Sequence, residues 1–382
     1  MTLDPLRHLA EELDVLKDIG RLRERGPSID SAARATCLNL CSNDYLGYRT
    51  TGRLAKYVRE AAGTIAEGAG ASRLVYGEHE VHRCLEEELS SWLGLDKTLL
   101  FTSGYAANVG TIAALAAHGD LIVSDALNHA SLIDGCRLSR ARVVVVAHND
   151  LEQVRAALRG SAAKRRWVVT ESYFSMEGDG PDLRALRQIC WEHDAALVLD
   201  EAHAVGVLGF DGSGLAREAG VQPDVLIGTL GKSLASQGAF VAGSRDLVRW
   251  LWNRARSFVF STGLSPLLAA IGLGAVREAR ADGEGRAHAA AISRRLREGL
   301  ERLGLVVANQ TGPLLPLVLG DEVRALAWSR ALLEAGILVQ AIRPPTVPAG
   351  GSRLRITARA DLSDAQVEVA LAAFAEVAKA VG

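Results

Sequence analysis

A rhythm in the middle of the chain constrains the fold more than any single motif. Between residues 99 and 242, short apolar runs (Leu99–Phe101, Leu121–Val123, Val143–Val146, Trp167–Val169, Ala196–Leu199, Val225–Ile227, Phe240–Ala242) alternate with longer stretches of helical pattern. Runs without polar alternation predict strands covered on both faces. Helices are predicted over 108–117, 151–158 and 183–193. The expected fold is therefore α/β: a mainly parallel central sheet with right-handed crossovers and helices on both faces. In such sheets, ligands sit beyond the carboxyl ends of the strands.

After Thr262 the texture changes. Long Ala-, Leu- and Arg-rich helices give way to a strand at 314–319, a helix at 323–333, strands at 337–340 and 354–357, and a final helix after Ser363. This order predicts a smaller C-terminal α+β domain. A chain of 382 residues exceeds what one core usually serves. The expected division is an N-terminal helix and extended segment (1–40), a large domain (41–275) and a small domain (276–382). Leu6, Leu9, Leu13 and Leu16 fall on one face of a helix, which is expected to dock on the body of the protein or on a partner subunit.

Composition excludes several classes of function. The net charge of −2, with both signs interspersed, gives no electrostatic footprint for nucleic acid. The five cysteines are scattered without metal-ligand spacing and read as reduced thiols, so neither a disulfide framework nor a metal site is expected. The acidic residues near the amino terminus interrupt any signal-peptide pattern, and the most apolar segments fall short of the roughly 20 residues a membrane helix needs. A cytoplasmic protein with no membrane contact is expected.

Asp200 follows a predicted strand, as does Thr229, so both should project at the ligand-bearing rim, with Lys232 just beyond. A lysine able to form a Schiff base and a carboxylate able to hold a pyridinium nitrogen are the pair a pyridoxal phosphate enzyme requires. His203, three residues after Asp200, would reach the cofactor's phenolic oxygen. Equally, Asp200 could cap the next segment and His203 be a satisfied polar residue. Two nucleotide motifs imitate this region: Asp200-Glu201-Ala202-His203 spells a helicase signature, and Gly231-Lys232-Ser233 the end of a phosphate loop. A Walker A loop needs glycine five residues before Gly231, but Leu226 stands there. Other segments carry weaker signals, each with a bland alternative. Ser103 to Asn108 joins strand to helix and could offer backbone amides and a positive helix end to a phosphate, or be an ordinary connection with Ser103 or Asn108 near the cap. Ser175 could add a hydroxyl or be a turn residue, and His129 could stack on a ring or be packed. Arg353, Arg355 and Thr357 alternate with Leu354 and Ile356, giving either a carboxylate-binding face or a solvated edge strand. The proline-rich stretch 342–350 must be an extended loop.

Taken together, Asn43-Asp44-Tyr45-Leu46-Gly47, Gly70-Ala71-Ser72-Arg73-Leu74, Asn128-His129-Ala130-Ser131, Asp200 to His203 and Gly231-Lys232 resemble the signatures of the α-oxoamine synthases, nearly end to end. These are class II aminotransferase-like, fold type I enzymes that use pyridoxal 5'-phosphate to condense an amino acid with an acyl thioester. The resemblance implies that Lys232 is the Schiff-base lysine, Asp200 the ring-nitrogen partner, His203 the phenolic-oxygen partner and His129 the stacking residue. It implies Gly104, Tyr105 and Thr229 at the phosphate, Ser175 at the cofactor, Arg355 at the amino acid carboxylate, and Asn43, Thr346 and Arg23 in the substrate region. It also implies a homodimer whose site lies between subunits, with Thr262 reaching the other subunit's phosphate. The loop Arg343-Pro344-Pro345-Thr346-Val347-Pro348 and the following Arg353-Leu354-Arg355 are most similar to members that join L-alanine to a pimeloyl thioester, on coenzyme A or an acyl carrier protein, in biotin biosynthesis. Members using glycine or serine with other acyl groups are the nearest alternative, and a non-catalytic interaction subunit on the same fold is a further one. Ala204 departs from the Ser or Gly more usual in the family.

Overall fold

The computed structural model describes residues 5–23, 36–308 and 311–381. Two sheets organise it, and a two-strand pairing joins the early chain to the late chain. In chain order the strands are β1 (Leu38–Asn39), β2 (Lys97–Phe101), β3 (Leu121–Asp125), β4 (Arg142–Val146), β5 (Arg166–Glu171), β6 (Ala195–Asp200), β7 (Val225–Thr229), β8 (Ala239–Gly243), β9 (Leu314–Gly320), β10 (Ile337–Leu338), β11 (Gln340–Ile342) and β12 (Ser352–Thr357).

The larger sheet has seven strands in the order β2-β8-β7-β6-β5-β3-β4. Pairing is parallel from β7 through β6, β5 and β3 to β4, while β8 runs antiparallel to both β7 and β2. All seven apolar runs form these strands, and the expected mainly parallel sheet is present. One expectation fails at an edge. Val143 and Val145 of β4 are exposed, because β4 has a neighbour on one side only and lies at the limit of the helical cover. Inside the sheet, Leu197, Val198 and Leu199 of β6 and Val225, Leu226 and Ile227 of β7 are buried on both faces. At about 25 cal/mol per Å² of apolar area removed from water, such doubly covered strands anchor the sheet. Helices begin where side-chain oxygens meet the free first-turn amides: Ser103 accepts from Ala106, Asp150 from Gln153, and Asp182 from Arg184 and Ala185. Those helices span Gly104–Leu115, Leu151–Leu158 and Leu183–Glu192.

The smaller sheet runs antiparallel in the order β11-β12-β9. One face, including Leu354 and Ile356, packs on Trp328 and Phe374 from the helices Glu322–Glu334 and Asp364–Val381, in a core that Leu40 also enters. β12 is the central strand, so the solvated-edge alternative for its arginines is overturned: Arg353, Arg355 and Thr357 are all buried. The expected strand at 337–340 divides into β10, which pairs with β1, and β11, which pairs with β12. A shared cluster of Tyr45, Tyr173, Ala204, Val207, Ala289 and Leu314 packs between the large sheet's loops and the small sheet.

The amphipathic N-terminal helix forms over His8–Asp18, yet Leu9, Leu13 and Leu16 are exposed. The expected docking on the chain's own body does not occur. The end of this segment is tied down by Arg21 to Glu322 at 3.2 Å and by Arg343 to the Gly20 carbonyl.

Candidate active site

The carboxyl ends of β5, β6 and β7 form one rim. Register sets Glu171 beside Asp200 and Asp200 beside Ile227, so the two carboxylates and the segment leading from Thr229 to Lys232 share it. Asp200 is buried and its oxygens are engaged: Oδ1 accepts from the Ala202 amide at 2.8 Å, and Oδ2 from Asn108 Nδ2 at 2.8 Å. The capping alternative is therefore half right, since Asp200 caps the turn and still presents a carboxylate to the rim.

Asn108 does more than sit near a helix start. Its Nδ2 amide also donates to Ser131 Oγ at 2.9 Å, and that hydroxyl meets His129 Nδ1 at 2.7 Å. A continuous chain of hydrogen bonds thus runs from Asp200 through Asn108 and Ser131 to His129. The His129 amide donates to Glu171 Oε1 at 2.7 Å, which fixes the backbone as well. As a residue His129 is exposed and not packed in a core.

Lys232 stands between opposing influences. Desolvation pushes its amine down to about 8, with Arg355 acting in the same direction and the Asp200 and Glu171 carboxylates opposing it. A lysine so placed is a far better base and nucleophile near neutral pH than a solvated one. His203 is buried; burial first, then the positive charges of Lys232 and Arg355, hold its imidazole well below the ordinary value and so neutral. Its Nδ1 lies 2.7 Å from the Tyr45 hydroxyl. His129 is also shifted down, mainly by partial desolvation, with Lys232 acting in the same direction and Asp200 against it. Glu171 is pushed well above the usual carboxylate range by burial and by Asp200 beside it.

The other predicted residues divide into those at the rim and those outside it. Thr229 is buried, donates to the Gly238 carbonyl at 3.1 Å and accepts from the Gly231 amide at 3.2 Å. Gly104 and Tyr105 open the helix at Gly104–Leu115, and a side chain added at Gly104 would meet open space. Tyr105 is half-exposed, with its hydroxyl on Asp134. Ser175 lies in the turn after β5, where its carbonyl accepts from Arg355 Nε at 2.7 Å. Asn43 Oδ1 sits 3.4 Å from the Tyr45 hydroxyl. Arg23 and Thr346 meet at 3.4 Å on an exposed face. Thr262 is exposed on a segment bound to the 69–77 loop through Gly263 N–H to the Ala71 carbonyl at 2.9 Å. Among the described residues there is no cluster of His, Cys, Asp or Glu suited to a metal.

Glu171, Tyr45 and the Asn108–Ser131 pair escape sequence reasoning. A signal for Glu171 exists, a carboxylate ending an apolar run as Asp200 does, but strand-end acids are common in α/β folds. Tyr45 stands inside a noted motif, yet its partner lies 158 residues away.

The donor set suits a phosphorylated pyridine aldehyde: a desolvated amine, a buried carboxylate, a neutral buried imidazole, an exposed histidine, and an open glycine at a helix start. Residues 35–374 match the family model for class I and II aminotransferases, so the chain belongs to that family, in which it is a pyridoxal phosphate-dependent enzyme. The 8-amino-7-oxononanoate synthase of Anaeromyxobacter sp. (strain K) is 48% identical over 355 residues, 92% of this chain and 89% of that protein. Within the family, the chain groups with the 8-amino-7-oxononanoate synthases. Among solved structures, the serine palmitoyltransferase of Sphingomonas wittichii aligns with a TM-score of 0.91 at 32% identity, covering 100% of this chain and 99% of that one. That of S. paucimobilis, bound to a PLP–myriocin aldimine, aligns with a TM-score of 0.92 at 28% identity, covering 100% of both chains.

Proposed function

We propose that the chain condenses L-alanine with a pimeloyl thioester, carried on coenzyme A or an acyl carrier protein, releasing carbon dioxide and the free thiol and giving 8-amino-7-oxononanoate for biotin biosynthesis. The observation that carries the chemistry is the desolvated Lys232 amine beside Asp200 on one sheet rim. The choice of alanine and pimelate rests on the 48% identity to the Anaeromyxobacter synthase, against 32% and 28% for the serine-named neighbours.

The bound cofactor supplies an electron sink for the bonds broken at the amino acid's α-carbon. Asp200 would hold a proton on the cofactor's ring nitrogen, with the Asn108 bond fixing the carboxylate. His129 offers its ring face for stacking, its orientation set by Ser131. With the Tyr45 hydroxyl donating to Nδ1, His203 keeps its proton on Nε2 and offers it to the phenolic oxygen. The desolvated Lys232 amine would take the α-proton and later return one to the same carbon. Arg355 binds the substrate carboxylate, Gly104, Tyr105 and Thr229 hold the phosphate, Ser175 lies at the cofactor, and Asn43, Thr346 and Arg23 border the acyl path. The Arg23–Thr346 contact supports that last role by bringing the two together.

We further read the enzyme as a cytoplasmic homodimer with Thr262 reaching across to the other subunit's phosphate. Leu74, Val75, Tyr76 and Phe260 are exposed large apolar side chains on the two segments that the Gly263–Ala71 hydrogen bond joins beside Thr262, which supports this reading. The exposed face of the N-terminal helix suits the same partner. The division into a large domain to residue 275 and a small domain from 276 belongs to this reading. Among the described residues no helix is long and apolar enough to cross a membrane. The deciding experiment incubates the holoenzyme with alanine, glycine or serine and a panel of acyl thioesters, following thiol and carbon dioxide release. Alanine with a pimeloyl thioester should turn over fastest. Preference for glycine with a short acyl group, or serine with a long one, overturns the substrate assignment.

A further inference from the structure

His148 follows β4 and has no part in the chemistry above. Its Nδ1 lies 3.0 Å from Asp125 Oδ1 at the end of β3, and its Nε2 lies 3.1 Å from Asp179 Oδ1 in the turn after β5. Burial by itself lowers the pKa of this ring, but the two carboxylate hydrogen bonds outweigh it and push the value up to about 10. The imidazole is thus a cation tying two strand ends together. Phe174 packs edge-on against it at 4.5 Å, and the Asn149 side-chain amide and the Glu177 carboxylate complete its polar surroundings.

The turn so anchored is closed on itself. Phe174 N–H donates to the Asp179 carbonyl at 2.7 Å, and Gly178 N–H to the Phe174 carbonyl at 2.9 Å. The same turn grips the small sheet. Its Ser175 carbonyl accepts from Arg355 at 2.7 Å, its Met176 carbonyl from Arg353 at 2.8 Å, and Glu177 pairs with Arg353 at 3.0 Å. Arg355, held this way, is close enough to Lys232 to help lower the pKa of its amine. An α-amino acid has to reach both groups at once, one with its carboxylate and the other with its amine.

We propose that His148 is a positioning residue for the amino acid substrate: clamped between Asp125 and Asp179, it fixes the 174–179 turn, and the turn fixes Arg355 relative to Lys232. The inference rests on Arg355 as the carboxylate's partner. Without the cation, Asp125 and Asp179 repel each other and the turn loses its tie to β3. Small displacements of a positioning group cost up to about 10²-fold.

The test uses holoenzyme carrying His148→Gln or Asp179→Asn, titrated with alanine by the change in cofactor absorbance and assayed at saturating thioester. Both variants are expected to bind alanine roughly tenfold more weakly, with kcat changed less than about twofold and with the absorbance of the cofactor on Lys232 and the KM for thioester unchanged. The double variant should be no worse than the weaker single one, since both break the same tie. Unchanged alanine affinity in a folded variant overturns the proposal, as does equal weakening toward cofactor and thioester, which marks general loosening. If His148→Gln does not fold, Asp179→Asn decides alone. Arg355→Lys separates the two layers. If it leaves alanine binding intact, the carboxylate reading falls. If it weakens binding while the other variants do not, the positioning role alone falls.

Discussion

The two sheets supply their halves of the site by different means. On the rim of the seven-stranded sheet, side chains hold side chains: Asn108 holds Asp200 and Ser131, Ser131 holds His129, and Tyr45 holds His203. On the three-stranded sheet the arginines are held mostly by backbone carbonyls, from Ser175, Met176 and Gly351. The first arrangement sets where protons sit, because each link can donate or accept. The second sets where a permanent charge sits and leaves the charge unaltered. Under the proposed function, proton chemistry would belong to the large sheet and substrate alignment to the small one.

Substitutions can break that division or sharpen it. The largest effect is expected at the large sheet. Lys232→Ala should lower kcat by on the order of 10⁴ or more and abolish the visible absorbance of covalently held cofactor. Activity within tenfold of the parent would remove Lys232 from the chemistry. Asp200→Asn loses the charge and can keep only one of the acceptor contacts to Asn108 and Ala202, so about 10²–10³-fold in kcat should go with it at a stability cost of about 1 kcal/mol. A stability loss without a rate loss would make Asp200 a cap only.

On the small sheet the dominant cost should be in stability. Arg353→Met leaves Glu177 poorly solvated without its cation, for a loss of about 3 kcal/mol in denaturant unfolding, and Glu177→Gln added to it should recover much of that. Failure to recover would mean that the carbonyl contacts, not the ion pair, hold the strand to the turn.

The pH dependence tests the large sheet again, more gently. With the Lys232 amine near 8, cofactor-free protein should capture pyridoxal phosphate covalently at a rate that rises about tenfold per pH unit up to roughly pH 8 and then levels. The folded value lies below the 10.5 of an unfolded lysine, so the native state holds this proton less tightly. The destabilisation is full below about pH 8 and fades between 8 and 10.5. A capture rate still climbing at about pH 10 would show an amine that is not desolvated. The smallest effect is expected from Tyr45→Phe, which removes one buried hydrogen bond to His203 and should cost about 1 kcal/mol, read as a lowered Tm.

Much of this site is legible in the sequence alone. Asp200 and Lys232 announce themselves because a strand ending in an acid and a loop lysine beyond the next strand must share a rim in a parallel sheet. β12 is legible only in part. Its alternation separates Arg353 and Arg355 from Leu354 and Ile356, but alternation reports faces and is silent on whether a strand is central or at an edge. Pairing with both β11 and β9 decides that, and turns an arginine pair open to solvent into a buried one. The N-terminal helix shows the converse, since its period fixes the helix and its apolar face but not what that face touches.

By itself, then, the sequence determined what repeats locally: the strand-helix rhythm, the carboxyl-end rim, the lysine, aspartate and histidines on it, and through their motifs the family. Tertiary structure decided what depends on residues far apart in the chain: Glu171 set beside Asp200, Tyr45 on His203, the Asn108–Ser131 link to His129, and the turn at 174–179 that binds Arg355. The reason is physical. Periodicity and chain connectivity act over a few residues, whereas burial, the pairing of charges and the position of a proton depend on neighbours that only the folded chain brings together.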